Sequence, residues 1–244
     1  MQVLLFLHRL YFFVILNIRN KKTYKMKKII FLFIISSLIS IKGIGLTLSP
    51  ETEVSILTCA PGNELYSLFG HTAIRINDPR HQIDRVYNYG TFDFSTPHFY
   101  LKYARGLLPY QLTVQKFSHF IYNYQLEERT VYAQTIRLDS LEKQRIFDLL
   151  EENLLPQNRY YLYNFLFDNC TTRSRDILLK SLPDSVAWNM PDVNKNFWNL
   201  LDEYLQASPW VQWGIHTILG QRGNRTATTF QYMFLPDYLM YGLK

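Results

Sequence analysis

The sequence of 244 residues predicts an α+β domain in which an antiparallel sheet packs on a helix that begins at a cysteine. Stretches typical of strands and stretches typical of helices occur in mixed runs. Strict strand–helix alternation would instead indicate a parallel sheet. The segment 164–180, NFLFDNCTTRSRDILLK, places Cys170 directly after two good helix N-cap residues, Asp168 and Asn169. The apolar residues that follow predict a short buried helix, ending before Pro183.

The amino end is typical of an export signal. Residues 1–45 contain eight basic and no acidic side chains, and the remaining 18 basic and 20 acidic residues give a net charge of −2. Met26, Lys27 and Lys28 precede an apolar run over residues 29–41, which is too short to span a bilayer. We expect translation to start at Met26, and we predict that residues 1–45 form a leader that is removed. The catalytic domain is predicted to cover residues 46–244.

The remaining elements follow from hydrophobic periodicity and turn residues. Strands are predicted at 53–58, 71–77, 85–92, 111–116 and 130–138. Helices are predicted at 64–69, 98–105, 117–127, 196–206, 210–219 and 235–243. A further helix begins after Asp139, with Glu142 completing a capping box.

Cys170 is a candidate nucleophile because a helix N-terminus carries unpaired N–H groups and partial positive charge. Such an environment lowers a cysteine pKa from about 8.5 toward a range of about 3.5 to 7.5. Asn169 and Thr171 are predicted to form the helix N-terminus and to contribute to an oxyanion site. Arg173 is predicted to add positive charge near the thiolate. The competing interpretation is a small buried cysteine with a packing role.

His71, at the start of the predicted strand 71–77, is the candidate general base and acid. A thiol acyl enzyme needs an imidazole within hydrogen-bond reach and a third polar group that orients the ring. Asn88, on the neighbouring predicted strand, is the preferred third group, and Asp93 is the alternative. The competing interpretation of His71 is a buried histidine with a structural role. The remaining histidines, His81, His98, His119 and His216, are predicted to lie on the surface.

Other classes of site find little support. Cys59 is a possible second thiol or a disulfide partner of Cys170, since exported proteins form disulfides. The histidines and cysteines lack metal-ligand spacing, and no glycine-rich phosphate loop is present, so neither metal nor cofactor is predicted. Without the leader the chain has no basic patch that would indicate nucleic-acid binding.

Five blocks resemble the Lnb N-terminal periplasmic domain family, in the order LTCAPGNELYSLFGHTAIRI (57–76), YNYGTFDF (87–94), ARGLLPYQL (104–112), NFLFDNCTTRSRD (164–176) and MFLPDYL (233–239). The order of histidine, polar strand and cysteine helix also resembles the permuted branch of the papain-like NlpC-type superfamily. The resemblance implies a permuted papain-like fold, Cys170 as the acyl-accepting nucleophile and His71 as the proton carrier. Full-length members continue into a bundle of transmembrane helices, whereas this sequence ends at Lys244.

The resemblance also implies an activity. Full-length relatives are lipoprotein N-acyltransferases, which move an acyl chain from a phospholipid to the free amine of a lipoprotein. The implied partners are therefore a phospholipid donor, a lipoprotein acceptor and a membrane surface. The implied location is the periplasm of a Gram-negative envelope, peripheral to or anchored at the inner membrane.

Two other hypotheses remain open. An envelope hydrolase of the same fold would cut cell-wall peptides or lipid esters, and a disulfide-stapled binding module would have no activity. A hint of lipid contact comes from Trp210, Trp213, Ile215 and Ile218, which can share one face of a helix. The competing interpretation places these four side chains in the core.

Overall fold

The structure is a computed structural model that describes residues 45–93, 95–98, 102, 107–182, 188–190 and 194–244. The predicted leader, residues 1–45, therefore lies almost entirely outside the described residues, as does the predicted helix 98–105. None of the helices among the described residues is both long enough and apolar enough to cross a bilayer.

A six-stranded antiparallel sheet forms the centre of the domain, which confirms the predicted α+β class. The strand order across the sheet is β5-β1-β2-β3-β4-β6. The strands are β1 (Glu53–Cys59), β2 (His71–Asp78), β3 (Ile83–Thr91), β4 (Pro109–Lys116), β5 (Val131–Thr135) and β6 (Tyr160–Leu162). The short edge strand β6 was not predicted, because three residues are too few to give a periodic signal.

The described residues include seven α-helices and two short 3₁₀ turns, at Pro79–His81 and Gly220–Arg222. The helices are α1 (Phe117–Leu126), α2 (Ser140–Leu154), α3 (Cys170–Ser181), α4 (Phe197–Leu205), α5 (Pro209–Leu219), α6 (Thr229–Tyr232) and α7 (Pro236–Gly242). The predicted capping box of α2 is confirmed: Asp139 accepts from the Glu142 N–H, and the Glu142 side chain accepts from the Asp139 N–H.

The predicted helix at 64–69 is wrong. Residues 65–69 form hydrogen-bonded turns, in which the Ser67 N–H donates to the Glu64 carbonyl and the Gly70 N–H donates to the Ser67 carbonyl. The short stretch between Pro61 and Gly70 leaves room for turns only, since helix nucleation is costly in so few residues.

The sheet is covered on both faces, which explains why β1 is buried at every position after Glu53. One face carries Ile56, Ile74 and Tyr87, which pack against α2 and α3. The other carries Leu57 and Ala73 in a cluster with residues of α1. Side chains alternate between the faces of a strand, so the two clusters use alternate residues of the same strands.

The cysteine helix α3 packs against β2, β3 and α2. Its residues Ile177 and Leu178 are buried in the same cluster as Ile56 and Ile74 of the sheet. A third cluster joins α4, α6 and α7 to the loop that precedes α3, through Leu166, Phe197 and Phe234. The start of α3 is therefore held from two directions, by the sheet and by the carboxyl-terminal helices.

Candidate active site

Cys170 is the first residue of α3, and the asparagine before it caps the helix. The side-chain oxygen of Asn169 accepts hydrogen bonds from the N–H groups of Thr171 and Thr172, both at 2.9 Å. Its amide nitrogen donates to the carbonyls of Phe165 at 2.8 Å and Phe234 at 2.9 Å. Every polar atom of this buried side chain has a partner, so Asn169 fixes the position of the cysteine.

The structure brings His71 and Asn88 together with Cys170. His71 opens β2, and its Nε2 lies 3.3 Å from the Asn88 Oδ1, so a protonated ring donates its Nε2–H to the amide oxygen. The alternative third group, Asp93, is exposed and accepts instead from the N–H and hydroxyl of Ser95. Asn88 is therefore the residue placed to orient the imidazole.

The pKa values of Cys170 and His71 shift in opposite directions. Burial raises the pKa of the Cys170 thiol, but the charge of His71 and hydrogen bonds from His71, the Thr72 N–H and Thr171 outweigh burial, so the pKa is lowered. Burial lowers the pKa of His71, but the Cys170 thiolate and the Asn88 hydrogen bond outweigh burial, so that pKa is raised. Both shifts favour a thiolate–imidazolium pair.

Thr171 does not contribute an oxyanion donor through its backbone, because its N–H donates to the Asn169 side chain. Its hydroxyl instead lies 3.8 Å from the Cys170 sulfur and 3.1 Å from the Thr72 hydroxyl. The N–H of Cys170 itself is not engaged by the Asn169 cap. A developing oxyanion at the start of α3 would therefore be met by the Cys170 N–H.

Arg173 is also placed differently from the prediction. Its guanidinium forms a bidentate pair with Asp168, at 2.6 and 2.8 Å, and lies 3.5 Å from the centre of the Tyr161 ring. The carboxylate neutralises this cation, so His71, not Arg173, is the positive group that stabilises the thiolate. We assign Arg173 to holding the loop that leads into α3.

Cys59 is a free thiol, as is Cys170, so the structure contains no disulfide between them. Cys59 lies opposite His71 in the pairing of β1 with β2, and its side chain is fully buried. Burial raises the pKa of the Cys59 thiol to about 12, although a hydrogen bond with Tyr124 acts in the opposite direction. Cys59 is therefore protonated and unreactive at neutral pH, in contrast to Cys170.

Cys170 and His71 open into an apolar cavity of about 510 Å³. Its apolar lining includes side chains from the turn before β2, the loop before α3, helix α5 and the segment before α7, such as Leu65, Phe69, Phe165, Ile215, Ile218 and Phe234. Apart from the thiol–imidazole pair, Arg222 is the only Asp, Glu, Lys or Arg among the described residues that line the cavity. A pocket of this size and character suits an apolar ligand such as an acyl chain.

Two glycines shape the space around the sulfur. Gly70 has φ +75°, and a side chain there would place its Cβ 2.5 Å from the Cys59 carbonyl oxygen. Gly90 has φ +89°, at an irregularity in the pairing of β3 with β4, and its Cβ would lie 3.5 Å from the Cβ of Cys170. Both positions favour glycine, since other residues rarely adopt such backbone angles.

Sequence reasoning missed Thr72, whose N–H helps to lower the pKa of Cys170, and Gly90, whose Cβ position lies against the Cβ of Cys170. Thr72 directly follows His71, so strand geometry alone gives no signal that its N–H acts on a thiol from another element. Gly90 did carry a signal, because a glycine inside a strand pattern indicates a bulge or a close approach. Among the described residues, no three His, Cys, Asp or Glu side chains are grouped so as to hold a metal ion.

One family model matches the chain. It is described as the Lnb N-terminal periplasmic domain and matches residues 47–201, which include His71, Asn88 and Cys170. No curated protein and no solved structure matches the chain. The match ends before the predicted family block at 233–239 and before α5.

Proposed function

Because the chain belongs to the Lnb N-terminal periplasmic domain family, we propose that it is a thiol-dependent acyltransferase of the periplasm. Cys170 would carry an acyl chain as a thioester, from a phospholipid to the N-terminal amine of a lipoprotein. The observation that carries this proposal is the Cys170–His71 pair opening into an apolar cavity of about 510 Å³. The thiolate supplies the nucleophile, and the cavity suits the chain that it would accept.

In the first half-reaction the Cys170 thiolate attacks the ester carbonyl of the phospholipid. The carbonyl oxygen becomes an oxyanion, to which the Cys170 N–H donates a hydrogen bond. When the carbon–oxygen bond of the ester breaks, the His71 imidazolium gives its proton to the leaving lysolipid oxygen. The products are an acyl thioester on Cys170, a lysolipid and a neutral His71.

In the second half-reaction the amine of the lipoprotein attacks the thioester carbonyl. Neutral His71 accepts a proton from the attacking nitrogen as the amide bond forms. The carbon–sulfur bond then breaks, and sulfur leaves as the thiolate, which restores the thiolate–imidazolium pair. Asn88 accepts a hydrogen bond from the ring in the protonated state and so keeps the second nitrogen directed at the sulfur.

The order of these groups along the chain supports a permuted papain-like arrangement. His71 and Asn88 lie on adjacent antiparallel strands that precede the cysteine helix in the sequence. A cysteine at a helix start, a histidine on the sheet and an amide that orients the ring form the chemical set of papain-like enzymes. We infer this fold from that order and from the antiparallel sheet beneath α3.

The experiment that tests the activity supplies a phospholipid and a synthetic lipopeptide whose N-terminal cysteine carries a diacylglyceryl group and a free amine. We expect the lipopeptide to gain one acyl group by mass spectrometry, and we expect an N-acetylated lipopeptide to gain none. Release of free fatty acid without acylated lipopeptide would contradict transfer and would support a hydrolase. Cys170→Ser is the inactive control.

A further inference from the structure

Helix α5 is exposed on its apolar side. Trp210 is 86% exposed, Trp213 is 67% exposed and Ile218 is 64% exposed. No residue of the helix is buried, and its sequence, PWVQWGIHTIL, contains no Asp, Glu, Lys or Arg. Large apolar side chains that form a contiguous exposed surface indicate an interaction site.

The opposite side of α5 is already packed. Ile215 contacts the cluster formed by α4, α6 and α7. It therefore does not share the exposed side with Trp210 and Trp213, although the sequence predicts that it does. His216, predicted to lie on the surface, is half-buried: its Nε2 lies 2.8 Å from Asp202, and its ring stacks on Trp198 at 4.9 Å. The helix is thereby fixed, and its two exposed tryptophans are not part of the core.

The charged residues that directly follow α5 in the sequence are basic. Residues 204–236 contain no Asp or Glu, but they contain Arg222 and Arg225. Arg222 follows α5 directly and lines the cavity that leads to Cys170. Asp202, a carboxylate that contacts α5, is paired with His216. A surface with exposed indole rings and arginines is complementary to an interface that carries phosphate groups.

The exposed side of α5 is continuous with the cavity. Ile218 is exposed on the surface and also lines the cavity beside Ile215 and Leu219. A lipid chain that enters at α5 would reach Cys170 along apolar side chains without crossing water. A protein partner seated on the same surface would close this route, so the continuity favours a lipid occupant.

We propose that α5 and Arg222 form a docking surface for a phospholipid bilayer that contains anionic lipids. Trp210 and Trp213 insert at the level of the headgroups, and Arg222 binds a lipid phosphate at the mouth of the cavity. The surface lies beyond residues 47–201, which the family model matches. As the route by which the acyl donor reaches Cys170, it rests on the proposed acyl transfer.

Tryptophan quenching tests this surface in the full chain. The sequence has four tryptophans, at 188, 198, 210 and 213, and none in residues 1–45, so the leader does not contribute to the signal. With vesicles of zwitterionic and anionic phospholipids brominated on their acyl chains, we expect quenching of the Cys170→Ser protein. Adding Trp210→Phe and Trp213→Phe should remove most of the quenching, whereas Trp188→Phe should leave it in place.

Two results would overturn the docking surface. One is equal quenching with and without the two tryptophans of α5. The other is a dimer seen by sedimentation velocity without lipid, which Trp213→Glu dissociates, together with no quenching by vesicles. That result would assign the surface to a second copy of the chain.

Arg222→Gln should reduce the dependence of quenching on anionic lipid, whereas its matched control, Arg225→Gln, should do so less. Equal effects would contradict the assignment of Arg222.

The same design separates this proposal from the proposed reaction. Trp210→Glu with Trp213→Glu should slow acylation of Cys170 by vesicle phospholipid at least tenfold, while iodoacetamide alkylation and acylation by a water-soluble short-chain ester stay unchanged. Quenching without any acylation would refute acyl transfer and leave docking intact. Acylation by the soluble ester without quenching would refute docking alone.

Discussion

Replacing His71 with glutamine tests the origin of the Cys170 thiolate. The pKa of Cys170 is lowered because the charge and hydrogen bond of His71, with donors from Thr72 and Thr171, outweigh the effect of burial. Glutamine can still form a hydrogen bond but carries no charge. Burial then dominates, so we expect the pKa of Cys170 to rise above about 8.5, the value of a free cysteine.

The effect of His71→Gln is measured as a loss of the Cys170 thiolate. Each tenfold fall in the thiolate fraction corresponds to about 1.4 kcal/mol of lost thiolate stabilisation. At pH 7 the thiolate fraction of Cys170, and with it the rate of alkylation, should fall by at least about tenfold. In the wild type the rate should rise as pH passes a midpoint below about 8.5 and then stay constant.

The assay is the rate of iodoacetamide modification as a function of pH, followed by intact mass. A single modification is expected near neutral pH, because Cys59 is buried and its pKa is raised to about 12. Asn88→Ala is the matched control: it keeps the His71 charge and removes only one hydrogen bond, so its midpoint should rise less. An unchanged midpoint in His71→Gln would refute the ion-pair origin of the thiolate.

Three further predictions concern stability and local geometry. Cys59→Ser should lower the free energy of unfolding in urea by about 1–3 kcal/mol, since a hydroxyl replaces a buried thiol. It should leave the pH midpoint of Cys170 alkylation unchanged. A shifted midpoint would show that Cys59 acts on the pair. Asn169→Ala loses a cap and removes the amide donor to the Phe165 and Phe234 carbonyls. A loss of about 3–5 kcal/mol is therefore expected, against about 1 kcal/mol for the half-buried cap Asn196→Ala. Equal losses would contradict the anchoring role of Asn169. Gly90→Ala should cost about 1–3 kcal/mol through backbone strain and should lower the alkylation rate without moving its midpoint; an unchanged rate would mean that the position does not face the sulfur.

Local chemistry was sufficient to predict the start of the cysteine helix. Asn169 is a strong N-cap in any context, so α3 begins at Cys170 as predicted. Strand alternation was sufficient to favour Asn88 over Asp93. The sheet class followed from mixed runs of strands and helices.

Long-range packing decided what the sequence could not reveal. The pairing of Arg173 with Asp168 neutralises the cation expected near the thiolate, and the cap occupies the Thr171 N–H that was expected at the oxyanion. The sequence does not show which carboxylate Arg173 pairs with, nor which N–H groups the Asn169 side chain occupies. The same holds for Trp210, because periodicity places it on an apolar face without saying whether that face meets a core or a solvent.

The central claim is that Cys170 accepts an acyl chain. Its most direct test is the intact mass of the protein after incubation with phospholipid vesicles in the absence of any acceptor. The wild type should accumulate one acyl group, mapped by peptide analysis to Cys170. His71→Ala should acylate about 10²–10⁴ times more slowly, the usual contribution of a general acid and base. A Cys170→Ser protein that still gains the acyl group, or a wild type that stays unmodified while its thiol remains reactive, would contradict the account.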